Sequence, residues 1–290
     1  MDFLGIFELG LIFSIFILGM LLSFRILGFA DLTIEGSFVT GGAIFAIMIN
    51  YGINPFIATF LSMIGGGLAG YITASLHCYL GINRLLSGII TLTLLYTGNL
   101  RIMGRSNISL DGKTTLLNFI DFQNFDFCIL IIIFVLSFSF VITLLSTNLG
   151  LFLRATGENE LFVKNIRVNP KKLIIIGLIL SNMLIALSGC LFAQSVGYND
   201  IGNGQGMLVS MLTAMIIGEN LIKPITVNKQ VASCFIGAII FQFLYSLALK
   251  IGVKPVDLKL IIGAILILFL LLTKFSNKDS QNKNIGANFI

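Results

Sequence analysis

The sequence predicts an all-α, polytopic membrane helical bundle with about nine transmembrane segments (8–10), two of them short or broken. Three observations carry this. Hydrophobic residues make up 57% of the 290-residue chain and charged residues 11%, whereas an ordinary soluble domain carries about a quarter charged residues. Apolar runs recur at the length of a bilayer crossing, about 20 residues. The polar stretches between them are too short to bury a core of their own. The 30 glycines against 4 prolines point to close helix–helix contact. Trp is absent, so Tyr and Phe must supply any interfacial belt.

The first segment, 4–23, lacks a basic start and an obvious small-residue cleavage site, so a retained helix is expected rather than a signal peptide. The second, 36–50, is short and follows Asp31-Leu32-Thr33-Ile34-Glu35-Gly36-Ser37. Asp31 reads as a helix cap, with Thr33 and Ser37 as local hydrogen-bond donors. Glu35 is harder to place, because a carboxylate beside the membrane is costly unless it faces water or a cation. The third segment, 55–80, holds Gly66 and Gly70 at small-xxx-small spacing and should pack tightly on a neighbour. His77, the one histidine, has no ligand cluster around it and reads as an interfacial hydrogen-bonding residue.

The fourth segment is 85–103. After it, Gly104–Asp126 is polar and then amphipathic, and a short helix resting on the outer surface is expected there. Asp111-Gly112-Lys113-Thr114-Thr115 ends like a phosphate-binding loop, but Asn107 stands where the earlier glycine is required, so the site is rejected. The fifth segment, 127–148, leads into Leu153–Lys172, a polar island between apolar runs, and the sixth is 173–197. Gly202-Asn203-Gly204-Gln205-Gly206 then precedes the short seventh segment, 207–222. Its spacing is not that of a dinucleotide fingerprint. Three glycines ahead of a helix can leave free amide donors that favour a carboxylate, or can be a flexible turn. Glu219 and Asn220 close the seventh segment at the inner boundary, as interfacial residues or as a gate. Segments 231–250 and 258–274 follow, so that 1–275 forms a single transmembrane domain and 276–290 a disordered cytoplasmic tail.

Placing 153–172 inside and alternating outward puts twelve Lys and Arg on the inner side and six on the outer. The positive-inside bias therefore puts the N-terminus outside and the C-terminus in the cytoplasm; a re-entrant short segment would reduce the crossings to eight and move the N-terminus inside. Cys78, Cys128, Cys190 and Cys234 lie alone in apolar surroundings and read as small buried hydrophobes. No catalytic or metal set can be assembled, the net charge of +5 reflects loop topology rather than nucleic-acid binding, and energy must come from another chain or an ion gradient. An ion-coupled secondary transporter of a small organic solute is the alternative reading, weakened by the scarcity of acids inside the spans.

The run Arg154-Ala155-Thr156-Gly157-Glu158-Asn159-Glu160, with Asn165-Ile166-Arg167-Val168-Asn169 after it, resembles the cytoplasmic loop of ATP-binding-cassette importer permeases. More narrowly, it is similar to the branched-chain amino acid and ribose permease family. Phe24–Leu27 and Asp31–Ser37 resemble the stretch ahead of that family's second span. Leu100–Asn107, Ser181–Gln194 and Ile217-Gly218-Glu219 resemble its tryptophan/tyrosine-type subgroup. The likeness covers about residues 20–275.

The resemblance implies a permease subunit in a bacterial plasma (inner) membrane, with two copies forming the pore. Cytoplasmic ATP-binding-cassette ATPase subunits would bind ATP and Mg, leaving no cofactor in this chain, and an external solute-binding protein would deliver the cargo. Loop 153–172 would seat a coupling helix on the ATPase. Gly157, Glu158, Asn159 and Glu160 would orient that helix, and Arg154 and Arg167 would meet acidic ATPase residues. Thr33, Glu35, Gly36, Ser37, Gly202, Gly204 and Gly206 are the candidate substrate pathway, and Glu219 and Asn220 a candidate gate. An amino acid, aromatic or branched-chain, is the expected small-molecule solute; a sugar is next.

Overall fold

Asparagine starts several of the helices. Asn54, Asn83 and Asn169 each accept a hydrogen bond from the backbone N–H two residues on, and Pro55 and Pro170 then occupy a first-turn position that lacks a partner for an N–H in any case. The structure is a computed structural model describing residues 3–117 and 125–253, with isolated positions between 257 and 267. Residues 118–124, where most of the outer surface helix was expected, lie outside the described residues. So do most of the ninth segment, 258–274, and the tail 276–290.

The helices are α1 (Phe3–Met20), which continues as a π-helical turn over Leu21–Ile26, α2 (Thr33–Asn50), α3 (Pro55–Cys78), α4 (Arg84–Met103), α5 (Phe125–Ser146), α6 (Asn148–Glu158), α7 (Glu160–Asn165), α8 (Pro170–Val196), α9 (Met207–Ile222) and α10 (Val227–Lys250). Among the described residues eight helical stretches are long and apolar enough to cross a membrane, the seventh only when α9 is taken with the 3-10 turn Ile201–Gly204 before it, and they correspond to the first eight segments read from the sequence. The helical bundle is therefore the one expected, with three differences of detail. The second segment starts three residues earlier, at Thr33, because the Asp31 side chain accepts from the Thr33 N–H and organises the first turn. The polar island is helical through most of its length, as α6 and α7. A short antiparallel pair, β1 (Asn107–Ser109) with β2 (Tyr198–Asp200), joins the loops after α4 and α8.

α8 is the central helix and packs against α1, α2 and α3. Lipid tails are as apolar as leucine, so burial alone does not hold membrane helices together; close packing and interhelical hydrogen bonds must. Small residues make that packing possible. A Cβ on Gly66 or Gly70 of α3 would fall 2.4 Å from the Asn182 carbonyl oxygen or 2.3 Å from that of Leu178. The expected small-xxx-small contact is thus made, with α8 as the neighbour. The same crowding recurs where Gly41 of α2 meets Ala186 and where Gly218 of α9 meets Ser233 of α10. Buried hydroxyls add cross-links: Ser181 Oγ donates to the Gly19 carbonyl at 2.7 Å and Ser188 Oγ to that of Ile12 at 2.8 Å. Cys78, Cys190 and Cys234 are buried as expected, whereas Cys128 is exposed on the outward side of α5.

Candidate functional site

Two regions collect the polar residues that helix packing alone does not explain. The first is the elbow formed by α6 and α7. Thr147 caps α6, and the Asn159 side chain caps α7 by accepting from the Phe162 N–H at 3.0 Å. Gly157 lies where α6 crosses the turn between α1 and α2. A Cβ there would sit 2.0 Å from the Ile26 carbonyl oxygen, so only glycine permits the approach. Gly28 completes the crossing in the left-handed region, at φ 59°.

Several elbow residues are already engaged within the chain. The Arg154 guanidinium donates to the carbonyls of Gly150 (3.3 Å) and Leu145 (3.2 Å) and thereby holds the α5–α6 corner. Glu160 forms an ion pair with Arg84 at the start of α4, and Arg84 also donates to the Gly28 carbonyl at 3.0 Å. Glu158 and Arg167 are exposed, Arg167 at a left-handed φ of 60° beyond α7. The sequence reading overlooked the apolar side chains of α7. Leu161 is 73% exposed and Phe162 56%, with Lys164 and Arg167 beside them, while Val163 alone faces the interior. The available signal was an apolar pair inside a charged loop.

The second region lies at membrane depth, where α2 and α9 begin. Gly36 rests against Leu92 and Leu95, in the middle of α4. After β2 the chain descends along α2, from Asn199 against Gly42 to Gly204 against Glu35. Seven helical residues separate those contacts, about 10 Å of travel. Non-helical backbone is tolerated at such depth because protein surrounds it. α9 therefore starts inside the membrane. Its far end reaches the face where Arg25 lies, so this segment crosses rather than turning back.

Glu35 joins the two helix starts. Its Oε1 accepts from the backbone N–H groups of Gly206 at 3.1 Å and Leu208 at 3.2 Å. Of the amide donors expected ahead of this helix, that of Gly206 meets a carboxylate from the chain itself, Glu35, while that of Gly202 donates to Asp200 Oδ1 at 2.7 Å. The carboxylate that lacked an obvious partner in the sequence has found one. Its charge also complements the positive end of the α9 dipole. Thr33 and Ser37 turn the other way: Thr33 Oγ1 meets Thr73 Oγ1 of α3 at 2.6 Å, and Ser37 Oγ donates to Asn182 Oδ1 at 2.6 Å. Asn182 Nδ2 in turn donates to the fully buried Asp31 at 2.9 Å. Asp31 stands one residue ahead of the α2 cap position, Leu32, accepts from the Thr33 N–H, and is also an anchor to α8, a role no local pattern signals.

At the opposite end of α9, Arg25 Nε donates to Glu219 Oε1 at 2.8 Å, and Asn220 Nδ2 donates to the Ile216 carbonyl at 3.0 Å. α9 is therefore tied at both ends to residues that flank the α1–α2 turn, and that turn lies under Gly157. The hydroxyl-bearing Thr93, Tyr96 and Thr97 of α4 are exposed, as is Gln205 ahead of α9, so polar groups at membrane depth flank this junction. A separate cavity of about 850 Å³ between α3, α5 and α8 is lined by apolar side chains apart from Thr59 and Ser137, which suits hydrocarbon and not a charged solute. His77 makes the interfacial hydrogen bond expected of it, Nδ1 to the Ile82 carbonyl at 2.7 Å, and no group of metal-binding side chains occurs among the described residues.

Comparison with known proteins gives a consistent picture. Residues 3–271 match the family described as branched-chain amino acid transport system / permease component. The tyrosine transport system permease protein of Clostridioides difficile (strain R20291) is 38% identical over 261 residues, 90% of this chain and 87% of the relative. An uncharacterized protein of Rickettsia prowazekii (strain Madrid E) is 39% identical over 278 residues, 94% of this chain and 97% of that one. No solved structure matches the chain.

Proposed function

We propose a function from one premise: the chain belongs to the family of permease components of branched-chain amino acid transport systems. It is the transmembrane permease subunit of an ATP-binding-cassette importer for a small solute. The finer reading is that the solute is an amino acid, that two copies of the chain enclose the pathway, and that cytoplasmic ATPases and an external binding protein complete the assembly in a bacterial inner membrane. An aromatic amino acid is the first choice, since a relative that aligns over nine-tenths of this chain is named a tyrosine permease. The positive-inside bias of Lys164, Arg167, Lys171 and Lys172 supports an elbow on the cytoplasmic side, with the N-terminus outside and the C-terminus within.

The observation that carries the coupling is the elbow's position. α7 offers an exposed apolar pair, Leu161 and Phe162, for an ATPase groove to cover. Behind it, Gly157 bears on the α1–α2 turn and Glu160 pairs with Arg84. Arg154 and Glu160 act inward, as braces that make α6 and α7 move as a unit, leaving Glu158, Asn159 and Arg167 on the outward side. ATPase closure moves the elbow, and the turn passes the displacement to α2 and α9. The membrane face of the pathway is the half-buried α2–α9 junction, with Glu35 and Gly202–Gly206 at its centre.

Co-purification from membranes tests this. Leu161→Ser with Phe162→Ser should abolish capture of the ATPase while the chain itself purifies normally, because neither side chain supports the fold. Undiminished capture and undiminished ATP-driven uptake would overturn the coupling role. Uptake that stops with an uncoupler while ATP stays high would instead favour an ion-coupled carrier.

A further inference from the structure

Two buried polar atoms beside the α2–α9 junction have no hydrogen-bond partner among the described residues: Oδ1 of Asn99 and Nδ2 of Asn203. Such atoms are rare in native structures, and each calls for a cause. Asn99 is 1% exposed, and its Nδ2 reaches the Gly36 carbonyl at 3.4 Å, so the amide is directed at the residue next to Glu35. Asn203 immediately precedes Gly204, whose α-carbon packs so closely on Glu35 that a Cβ would lie 2.4 Å from the Glu35 carbonyl oxygen. The junction therefore gathers a carboxylate, the N–H groups of a helix start, an acceptor short of a donor and a donor short of an acceptor.

We propose that this junction binds the charged end of a free α-amino acid by exchange. The substrate carboxylate displaces Glu35 from the N–H groups of Gly206 and Leu208 and takes the Asn203 amide. The substrate ammonium pairs with the released Glu35 carboxylate and with Asn99 Oδ1. The inference rests on the reading of the chain as an amino-acid import permease and names the groups that recognise the cargo.

The chemistry selects for a zwitterion. Opening the junction takes the Glu35 carboxylate off the α9 amides and leaves the positive helix end bare, and both changes are costly away from bulk water. A carboxylic acid without an amine restores the helix end but sets two negative charges side by side. An amine without a carboxylate restores Glu35 and leaves the α9 donors bare. Sugar hydroxyls supply neither charge. Only adjacent charges of both signs, as on an α-amino acid, replace what is broken. In the absence of cargo Glu35 returns to α9 and the junction is closed.

Titration calorimetry on the permease–ATPase complex in nanodiscs, without binding protein, separates these cases. The probes are L-tyrosine, tyramine (no carboxylate) and 3-(4-hydroxyphenyl)propanoate (no ammonium). The wild type should bind tyrosine about tenfold or more tighter than either analogue, since a lost charge-assisted hydrogen bond is worth at least that much. Glu35→Gln keeps an oxygen for the α9 amides, so the fold is retained, but tyrosine should bind about tenfold more weakly and lose its advantage over the propanoate. Asn203→Ala should weaken tyrosine and the propanoate alike and leave tyramine unchanged. Equal binding of all three probes by the wild type, or unaltered tyrosine binding in Glu35→Gln, would overturn the proposal. So would absence of tyrosine binding in a complex that still imports tyrosine with its binding protein, and in that case the importer reading stands. Failure of the complete assembly to import any amino acid overturns the importer reading itself.

Discussion

Gly157 shows how much can depend on a missing methyl group. Its position beside the Ile26 carbonyl leaves no room for a Cβ, and the obstacle is backbone, which cannot rotate away. Gly157→Ala should therefore push the elbow off the α1–α2 turn, at a cost of about 1–3 kcal/mol for an overpacked contact. The expected outcome is a chain that inserts and purifies but loses most ATP-driven uptake, measured in proteoliposomes. Gly5→Ala provides the contrast, because nothing lies within 4 Å of a Cβ there. It should leave uptake intact and raise stability by about 0.5–1 kcal/mol through helix propensity. Sequence singled out Gly157 by its motif, but it could not tell that the neighbour is a carbonyl more than a hundred positions earlier. Leu161 and Phe162 went unnoticed in the sequence for a different reason. They are two apolar residues in a charged loop, and only burial distinguishes the inward Val163 from its exposed neighbours.

At the scale of the elements, α2, α3 and α8 form one polar-pinned unit. Asn182 supplies Oδ1 to Ser37 and Nδ2 to Asp31, while Thr33 meets Thr73. Removing the amide strands two buried partners at once. Asn182→Leu should lower the apparent melting temperature of the purified chain, corresponding to about 1–3 kcal/mol for each partner left unsatisfied. A double-mutant cycle with Ser37→Ala should show coupling above about 0.5 kcal/mol, as residues sharing one network do. Strict additivity would mean that the two groups do not interact. The spans themselves were legible, because bilayer thickness sets their length, and so were Gly66 and Gly70, because small residues at four-residue spacing have few uses other than close packing. The Asp31–Asn182 bond was not legible, since its partners are 151 positions apart. Nor was the β1–β2 pair, whose strands are three residues each, too short for their alternating burial to stand out in the sequence.

Across the whole molecule the contacts form a continuous path: elbow, α1–α2 turn, α2, and α9 held at both ends. Glu35 grips its first turn and Arg25 its last, and the two residues lie on either side of the turn that Gly157 contacts. A displacement of that turn must then move α9 as a body rather than bend it. The Arg25–Glu219 pair is suited to transmit motion and not to supply stability, because the Arg25 side chain is 45% exposed. Exposed ion pairs contribute about 0–1 kcal/mol. Arg25→Gln, which keeps a donor for the 16%-exposed Glu219 but removes the charge, should thus leave the melting temperature nearly unchanged and still separate ATP hydrolysis from uptake: the ATPase turns over, but little cargo crosses. The double change Arg25→Glu with Glu219→Arg restores the attraction with reversed polarity and should recover much of the uptake. Paired measurements of phosphate release and substrate accumulation in the same vesicles decide it. If the single variant couples as well as the wild type, α9 is not driven from this end. If the swap fails to recover uptake while hydrolysis persists, position 25 requires a positive charge for some other contact, and the path from elbow to α9 runs through Glu35 alone.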